Sequence, residues 1–400
     1  MAVRKSAVED LEMTAGRTMP PAMIAGASPS ALYSEAQSWL AEDWQRVERD
    51  LGAQAASFYG RRVLLTGAAG FLGFNFLHFF SYLNKRRSPA QRPVQVLAVD
   101  NYLRGKSRWI VELSQEDRNI ELRAFDITQP WPSDDAAFDF IVHGASIASP
   151  TFYRQYPLET LDANVTGLRN MLELARRARI RSMVFFSSSE IYGDPPAHEI
   201  PTKETYRGNV SCTGPRACYD ESKRLGETLC YIYAQKHGVP VKIIRPFNNY
   251  GPGLRLTDKR VLPDFCADAL ADRDIVLYSD GKATRTFCYS SDALTGYLLA
   301  LLSRHDGEAF NVGMEAPEIS MYELSTLVSK TAGSARPPVC RPSSDKEYLT
   351  DNPQRRCPDL SKAKTLLGYQ PKVDLQTGIS RLIEWYKRFL ALEEVIDHSR

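Results

Sequence analysis

The sequence predicts an α/β protein, a doubly wound parallel sheet with a smaller α+β lobe behind it. Three observations carry this prediction. Short apolar runs alternate with amphipathic stretches from residue 61 onward, the first run ends in a glycine turn that opens an apolar helix, and past Pro246 the alternation weakens while loops lengthen. Strand-then-helix units join parallel strands through crossovers, which gives a Rossmann-like sheet covered on both faces.

The elements follow in chain order. Residues 1–59 form an extension: a start rich in Met, Ala, Pro, Gly and Ser that is expected to be mobile, then 31–56 with Leu32, Ala36, Leu40, Trp44, Val47 and Leu51 at helical spacing. That helix is expected to pack against the main domain or a partner subunit. Residues 60–246 read as the nucleotide-binding domain, with strands at 63–65, 94–99, 138–142, 182–187 and 241–245 and helices at 74–83, 165–179 and 219–237. Residues 84–92 are a basic loop inserted after the first of these helices. Residues 247–400 read as the substrate lobe, in which Ser320-Met321-Tyr322-Glu323 forms a capping box before another helix.

Bulk properties narrow the class. The 400 residues are 43% hydrophobic and 24% charged, and a formal charge of +2 gives no global field for nucleic acid or a membrane surface, so neither is an expected partner. The seven cysteines are scattered without CxxC spacing or partner histidines, which points to reduced thiols, no metal and a cytoplasmic setting. No run approaches the roughly 18–20 apolar residues that cross a bilayer, and the first thirty residues lack the basic-then-apolar order of a secretory signal. The chain is therefore expected to be soluble.

Gly67, Gly70 and Gly73, with Phe71 and Leu72 between the last two, place a GxxGxxG turn between strand and helix. There a tight bend lets a dinucleotide pyrophosphate approach the helix N-terminus. The next strand runs into Asp100-Asn101, and a carboxylate at that point accepts hydrogen bonds from an adenosine ribose and favours NAD over NADP. Asp126-Ile127 ends the following strand-like stretch, where a carboxylate can meet the adenine amino group.

Tyr219 and Lys223 stand four apart, hence on one helix face. A free phenol ionises near pH 10, so base action near neutrality needs about 4 kcal/mol of help, which an adjacent ammonium and a positive nicotinamide supply together. Upstream, Ser188 and Ser189 can hydrogen-bond a reacting hydroxyl, and Glu190 adds a carboxylate beside the same carbon. For Glu190 alone the alternative is a solvated loop acid.

Taken together, residues 66–73, Asp100-Asn101, 189–195, the GPRACYDESKR segment at 214–224, Phe247-Asn248-Asn249-Tyr250-Gly251-Pro252 and Thr284-Arg285-Thr286-Phe287 resemble the UDP-glucuronate decarboxylases, or UDP-xylose synthases. The resemblance spans about residues 60–390; the glycine turn and YxxxK belong to the whole extended short-chain dehydrogenase/reductase class, whereas GPRACYDESKR is more specific. It implies that Arg356, in Pro353-Gln354-Arg355-Arg356-Cys357-Pro358-Asp359, works near the sugar. It also implies that Asn248, Arg260 and Arg285 meet a UDP diphosphate, that NAD stays bound through a redox-neutral cycle, and that the helices at 165–179 and 219–237 build a homodimer. Departures are Gly144 after His143, Cys357 where lysine is common, and Gly253-Leu254-Arg255. Two enzymatic alternatives stay open, a nucleotide-sugar 4-epimerase and a 4,6-dehydratase. A non-catalytic nucleotide-binding protein on the same fold is a third, against which stands the presence of both Tyr219 and Lys223.

Overall fold

The structure is a computed structural model that describes residues 28–132, 137–343 and 350–397. The start of the extension, residues 1–27, lies outside the described residues.

Its centre is a sheet of seven parallel strands: β1 (Arg62–Thr66), β2 (Gln95–Asp100), β3 (Ile120–Ala124), β4 (Phe140–His143), β5 (Ser182–Phe186), β6 (Val241–Pro246) and β7 (Ala309–Val312). The spatial order is β7-β6-β5-β4-β1-β2-β3. The chain thus winds outward from β1 on one side and, after crossing over, from β4 on the other, and the crevice for a ligand opens where the direction reverses. β1 and β4 pair with Thr66 opposite His143, which sets both residues at the mouth of that crevice. The inner strands β1, β4 and β5 are near-continuous apolar runs because helices cover both faces.

The expected elements are present with shifted ends, and several were not anticipated, two of which bear on the sheet. The helix α3 (Arg108–Glu116) follows β2, and β7 comes from beyond residue 246, so the sheet draws its last strand from the later part of the chain. β7 has only four residues and carries the buried polar Asn311, whose amide donates to the carbonyls of Thr202 and Asp359 at 2.9 and 3.1 Å. Such a strand shows no period in the sequence. The stretch expected as a helix from 165 starts as a π turn, Ala163–Gly167, before α4 (Leu168–Ala178) ends on left-handed Arg179.

The described part of the extension, residues 28–59, belongs to the core. Its helix α1 (Pro29–Leu51) is capped by Ser28 Oγ, and Leu32, Ala36, Leu40, Trp44, Val47 and Leu51 are all buried, as their spacing predicted. It lies against α6 (Ser290–Leu302), while Asp43 pairs with Arg381 at 2.7 Å on the C-terminal helix α8 (Leu375–Phe389) and accepts the Tyr289 hydroxyl at 3.0 Å. A buried carboxylate needs such partners, and burial still raises its pKa despite Arg381. The capping box at Ser320 and Glu323 opens helix α7 (Met321–Ala332) with both reciprocal bonds formed.

One short pairing in the later lobe matters for the site. Thr284–Arg285 runs parallel to Arg355–Arg356, with Thr284 opposite Arg355 and Arg285 opposite Arg356. Thr202 and the residues around Pro358 hold the next turn, through Thr202 N to Cys357 O at 2.8 Å and Asp359 N to Thr202 O at 2.9 Å. Together they bring the 353–359 segment back to the mouth of the sheet.

Candidate active site

At β1 the chain turns through Gly67 with φ +73°, where an added Cβ would come within 2.7 Å of the Gly144 and Ala145 backbone. A Cβ on Gly73 would meet Ala68 O at 2.1 Å, so the helix α2 (Phe71–Arg86) presses against the turn only because that residue is glycine. A Cβ on Gly70 would meet only Gly67 O, at 3.3 Å. The result is a backbone cradle at a helix N-terminus, with the amides of Phe71 and Leu72 in its first turn, and it fits a dinucleotide pyrophosphate. Asp100 closes one side of the cradle: its carboxylate accepts Ala69 N at 3.0 Å and Tyr102 N at 2.7 Å. Burial raises its pKa and those two amides draw it back. Phe125 N donates to Asp100 O at 3.0 Å, which sets exposed Asp126 beside the same edge. Asp126 accepts Thr128 N and Oγ1 at 2.9 and 2.8 Å, while Ile127 is buried. Asn101 is exposed and accepts Leu103 N at 3.1 Å.

The helix α5 (Ala217–His237) carries Tyr219 and Lys223, both buried. Tyr219 stacks on Tyr153, ring centroids 5.1 Å apart at 13°, and its hydroxyl bonds the Ser188 side chain. Burial pushes the phenol up to about 12, with the Ser188 bond pulling the other way. Lys223 donates to Phe186 O at 2.8 Å, its ammonium 5.5 Å from the Tyr219 ring centre, and burial lowers its pKa to about 7. Burial is thus the effect that the ammonium and a positive nicotinamide together would have to offset. Behind them Asn164 donates to Ser222 Oγ at 2.9 Å, and Thr66 Oγ1 pairs with His143 Nδ1 at 2.8 Å. Ser189 is buried in the turn Ser189–Tyr192, and Ser188 caps that turn by accepting Glu190 N at 3.2 Å.

Beside this pair lies a dense charge cluster. Arg356 makes a two-pronged bond to Glu190, 2.6 Å to each oxygen, and Arg216 Nη2 donates to the same carboxylate. Burial alone would raise the Glu190 pKa, but Arg216 and Arg356 overrule it and hold the carboxyl well below the usual range. Arg216 also stands 3.7 Å from Asp220, whose pKa burial and then Glu190 push up to about 8. Arg285, buried next door, donates to the carbonyls of Thr284, Gln354 and Pro353 at 2.7, 3.1 and 2.5 Å; burial, then Arg356, lower its pKa to about 9. Its hydrogen bonds hold the 352–354 segment in place, and its charge adds to the site.

The structure therefore brings Tyr219, Lys223, Ser188, Ser189, Glu190 and Arg356 together. Of the expected diphosphate contacts, Arg260 is paired with Asp258 at 2.8 Å and Asn248 with Thr286 O at 2.9 Å. Two members of the cluster, Arg216 and Asp220, were not among the sequence candidates. Both stand in the helix-opening segment that carries Tyr219, three residues before it and one after, and that spacing was the available signal.

A doubly wound sheet with a dinucleotide cradle at its switch point and a buried Tyr-Lys pair beside the next strand defines an extended short-chain dehydrogenase/reductase. Comparison with known proteins agrees. Residues 63–313 match the family model described as NAD dependent epimerase/dehydratase family. The chain is 38% identical over 333 residues to UDP-glucuronic acid decarboxylase 1 of Xenopus tropicalis, covering 82% of this chain and 73% of that protein. It is 37% identical over 329 residues to UDP-glucuronic acid decarboxylase 3 of Arabidopsis thaliana, covering 82% and 89%. Among solved structures, a UDP-glucose 4-epimerase of Thermotoga maritima with UDP-glucose superposes with a TM-score of 0.70 at 24% identity, over 82% of this chain and 99% of that one, which is a likeness of fold. The chain belongs to the NAD dependent epimerase/dehydratase family and, within it, to the UDP-glucuronic acid decarboxylases, with NAD as cofactor. Among the described residues no helix is long and apolar enough to cross a membrane.

Proposed function

We propose that this enzyme decarboxylates UDP-glucuronate to UDP-xylose through a 4-keto intermediate. The observation that carries the reading is the part-buried Glu190–Arg356 pair beside Tyr219, in a chain 38% identical to UDP-glucuronic acid decarboxylase 1 of Xenopus tropicalis. Tyr219 takes the proton of the sugar 4-hydroxyl, with Ser188 or Ser189 bonded to that oxygen and Lys223 behind the phenol. NAD, when bound, supplies the acceptor for the C4 hydride and the donor that returns it. The 4-ketone lies β to the C6 carboxylate, so carbon dioxide leaves with its bonding electrons moved onto the ketone as an enolate. Glu190 and Arg356 govern the proton that C5 then gains, and Tyr219 gives its proton back as C4 is reduced. One proton is consumed and one carbon dioxide released per turnover.

For the cofactor, the proposed contacts are Gly67, Gly70, Phe71, Leu72, Gly73, Asp100, Asn101, Asp126, Ile127 and Lys223. For the diphosphate they are Asn248, Arg260 and Arg285, the last through its charge because its Nη donors are committed to the Thr284, Gln354 and Pro353 carbonyls and to Asn352 Oδ1. A cytoplasmic homodimer completes the reading. Its support is an apolar face of exposed Leu225, Tyr231 and Ile232 on α5, with Leu158 close by in the helix that packs on it.

Mass spectrometry of the products from UDP-glucuronate and NAD tests the reaction. UDP-xylose with release of carbon dioxide is the expected outcome; a product that keeps its carboxylate, such as the C4 epimer, would overturn it.

A further inference from the structure

The loop after β6 crosses the cofactor side of the molecule. Gly253, at φ +83°, passes so close to α2 that an added Cβ would meet the Phe74 ring at 2.2 Å. Only glycine allows this path, and it delivers Arg255 to the cradle. The Arg255 guanidinium donates to Arg104 O at 2.6 Å, to Gly105 O at 3.1 Å and to Ala69 O at 3.4 Å. Ala69 belongs to the glycine turn, and residues 102–105 belong to the loop after Asp100. One side chain from the later part of the chain thus ties together the two walls between which a dinucleotide enters.

A second tie lies farther along the same loop. Arg104 Nη1 reaches back to Asp258 Oδ1 at 2.6 Å while its guanidinium lies 4.1 Å over the Phe152 ring, and Ser149 Oγ donates to Asp258 O at 2.7 Å. The loop is also fixed from behind: Tyr386 donates to Leu254 O at 2.6 Å, and Glu393 accepts Leu256 N at 3.1 Å and Trp385 Nε1 at 2.5 Å. A loop anchored on its outer side and bonded to both walls on its inner side cannot lift without breaking several charge-assisted bonds together.

We propose that Arg255 and Arg104 form a two-point clasp over the cofactor cleft that keeps NAD in place from one turnover to the next. Both act through the walls they join, so they are positioning residues. The inference rests on NAD as the cofactor and is independent of which sugar reacts. A cycle that takes a hydride and returns it gains nothing from cofactor exchange, and loss of the reduced form in mid-cycle would leave an oxidised sugar behind.

The test is nucleotide retention in the full-length protein. Arg255→Met and Arg104→Met are purified, checked by circular dichroism and thermal melting, and assayed for nucleotide carried through gel filtration and for the rate at which bound NAD exchanges with labelled NAD. The expected result is depleted nucleotide and exchange at least about tenfold faster, with Arg255→Lys between wild type and Arg255→Met because an ammonium cannot span both walls; added NAD restores turnover. Wild-type retention and exchange in both methionine variants would overturn the clasp. So would slowed turnover at saturating NAD with exchange unchanged, since that places the residues on the sugar side. If Arg255→Met does not fold, Arg104→Met, at a part-exposed position, decides the question by the same two readouts.

Discussion

At the Tyr219 end of the cleft burial works almost unopposed: it lifts the phenol to about 12 and lowers the Lys223 ammonium to about 7. At the Glu190 end the same burial is overruled, because two arginines grip one carboxylate from both sides. The first region holds groups whose charged forms the protein itself does not stabilise, so its proton-transfer state is set when the cationic cofactor and the sugar arrive. The second is complete within the chain, with orientation and ionisation fixed beforehand. Electrostatic work that must change during turnover is left open, while electrostatic work that must stay constant is built in.

The largest effect should come from the open region. Tyr219→Phe removes the group that takes the 4-hydroxyl proton, and turnover should fall by about 10³-fold or more. No reduced-nicotinamide absorbance should appear on mixing with UDP-glucuronate in a stopped-flow instrument. Activity within tenfold of wild type would break the comparison, because the open region would then not hold the base.

A smaller and different loss is expected from the closed region. Arg356→Ala leaves Glu190 paired with Arg216, so the carboxylate keeps one cation while one donor pair near the sugar is gone. Turnover should fall by about 10²-fold. Oxidation at C4 should still proceed, so reduced nicotinamide or a 4-keto sugar accumulates, visible by transient absorbance and product analysis. Loss of the transient together with turnover would mean that both regions serve the first step, and a wild-type rate would remove Arg356 from the site.

Much of this was legible in the chain and some was not, for a physical reason that the two regions share. The glycine turn, β1, β2 and α1 are encoded within windows of a dozen residues, and their periodicity survives folding. The placement of Arg356 against Glu190 depends on two-residue strands pairing Arg285 with Arg356 across a long separation, which no local pattern announces. The resemblance to the decarboxylases pointed to Arg356, but only the fold showed its carboxylate partner. Lys223 shows the converse. Its spacing from Tyr219 correctly put both on one helix face, yet the ammonium reaches a backbone carbonyl of β5, a choice made by the depth of the helix against the sheet. Gly253-Leu254-Arg255 stood out in the sequence only as a departure, and its bonds to the cradle give that departure a structural use.

The finest test of the comparison concerns the one carboxylate of the closed region on which burial outweighs the arginines. Asp220 sits near Glu190, and burial with that neighbouring negative charge lifts its pKa from the ordinary 3.8 to about 8. Between those values the folded protein binds a proton that the unfolded chain has released, so this residue makes stability fall as pH rises from about 4 to about 8. Glu190 has the opposite sign: its folded pKa lies below the ordinary 4.5, so its contribution is present above that pH and is lost on acidification. Asp220→Asn removes the first slope and keeps the second. The melting temperature of the variant relative to wild type should therefore be near zero at pH 4.5 and grow to a few degrees in the variant's favour by pH 8. A difference that stays constant across that range would mean that Asp220 ionises normally, and that the arginines compensate both carboxylates of the cluster instead of Glu190 alone.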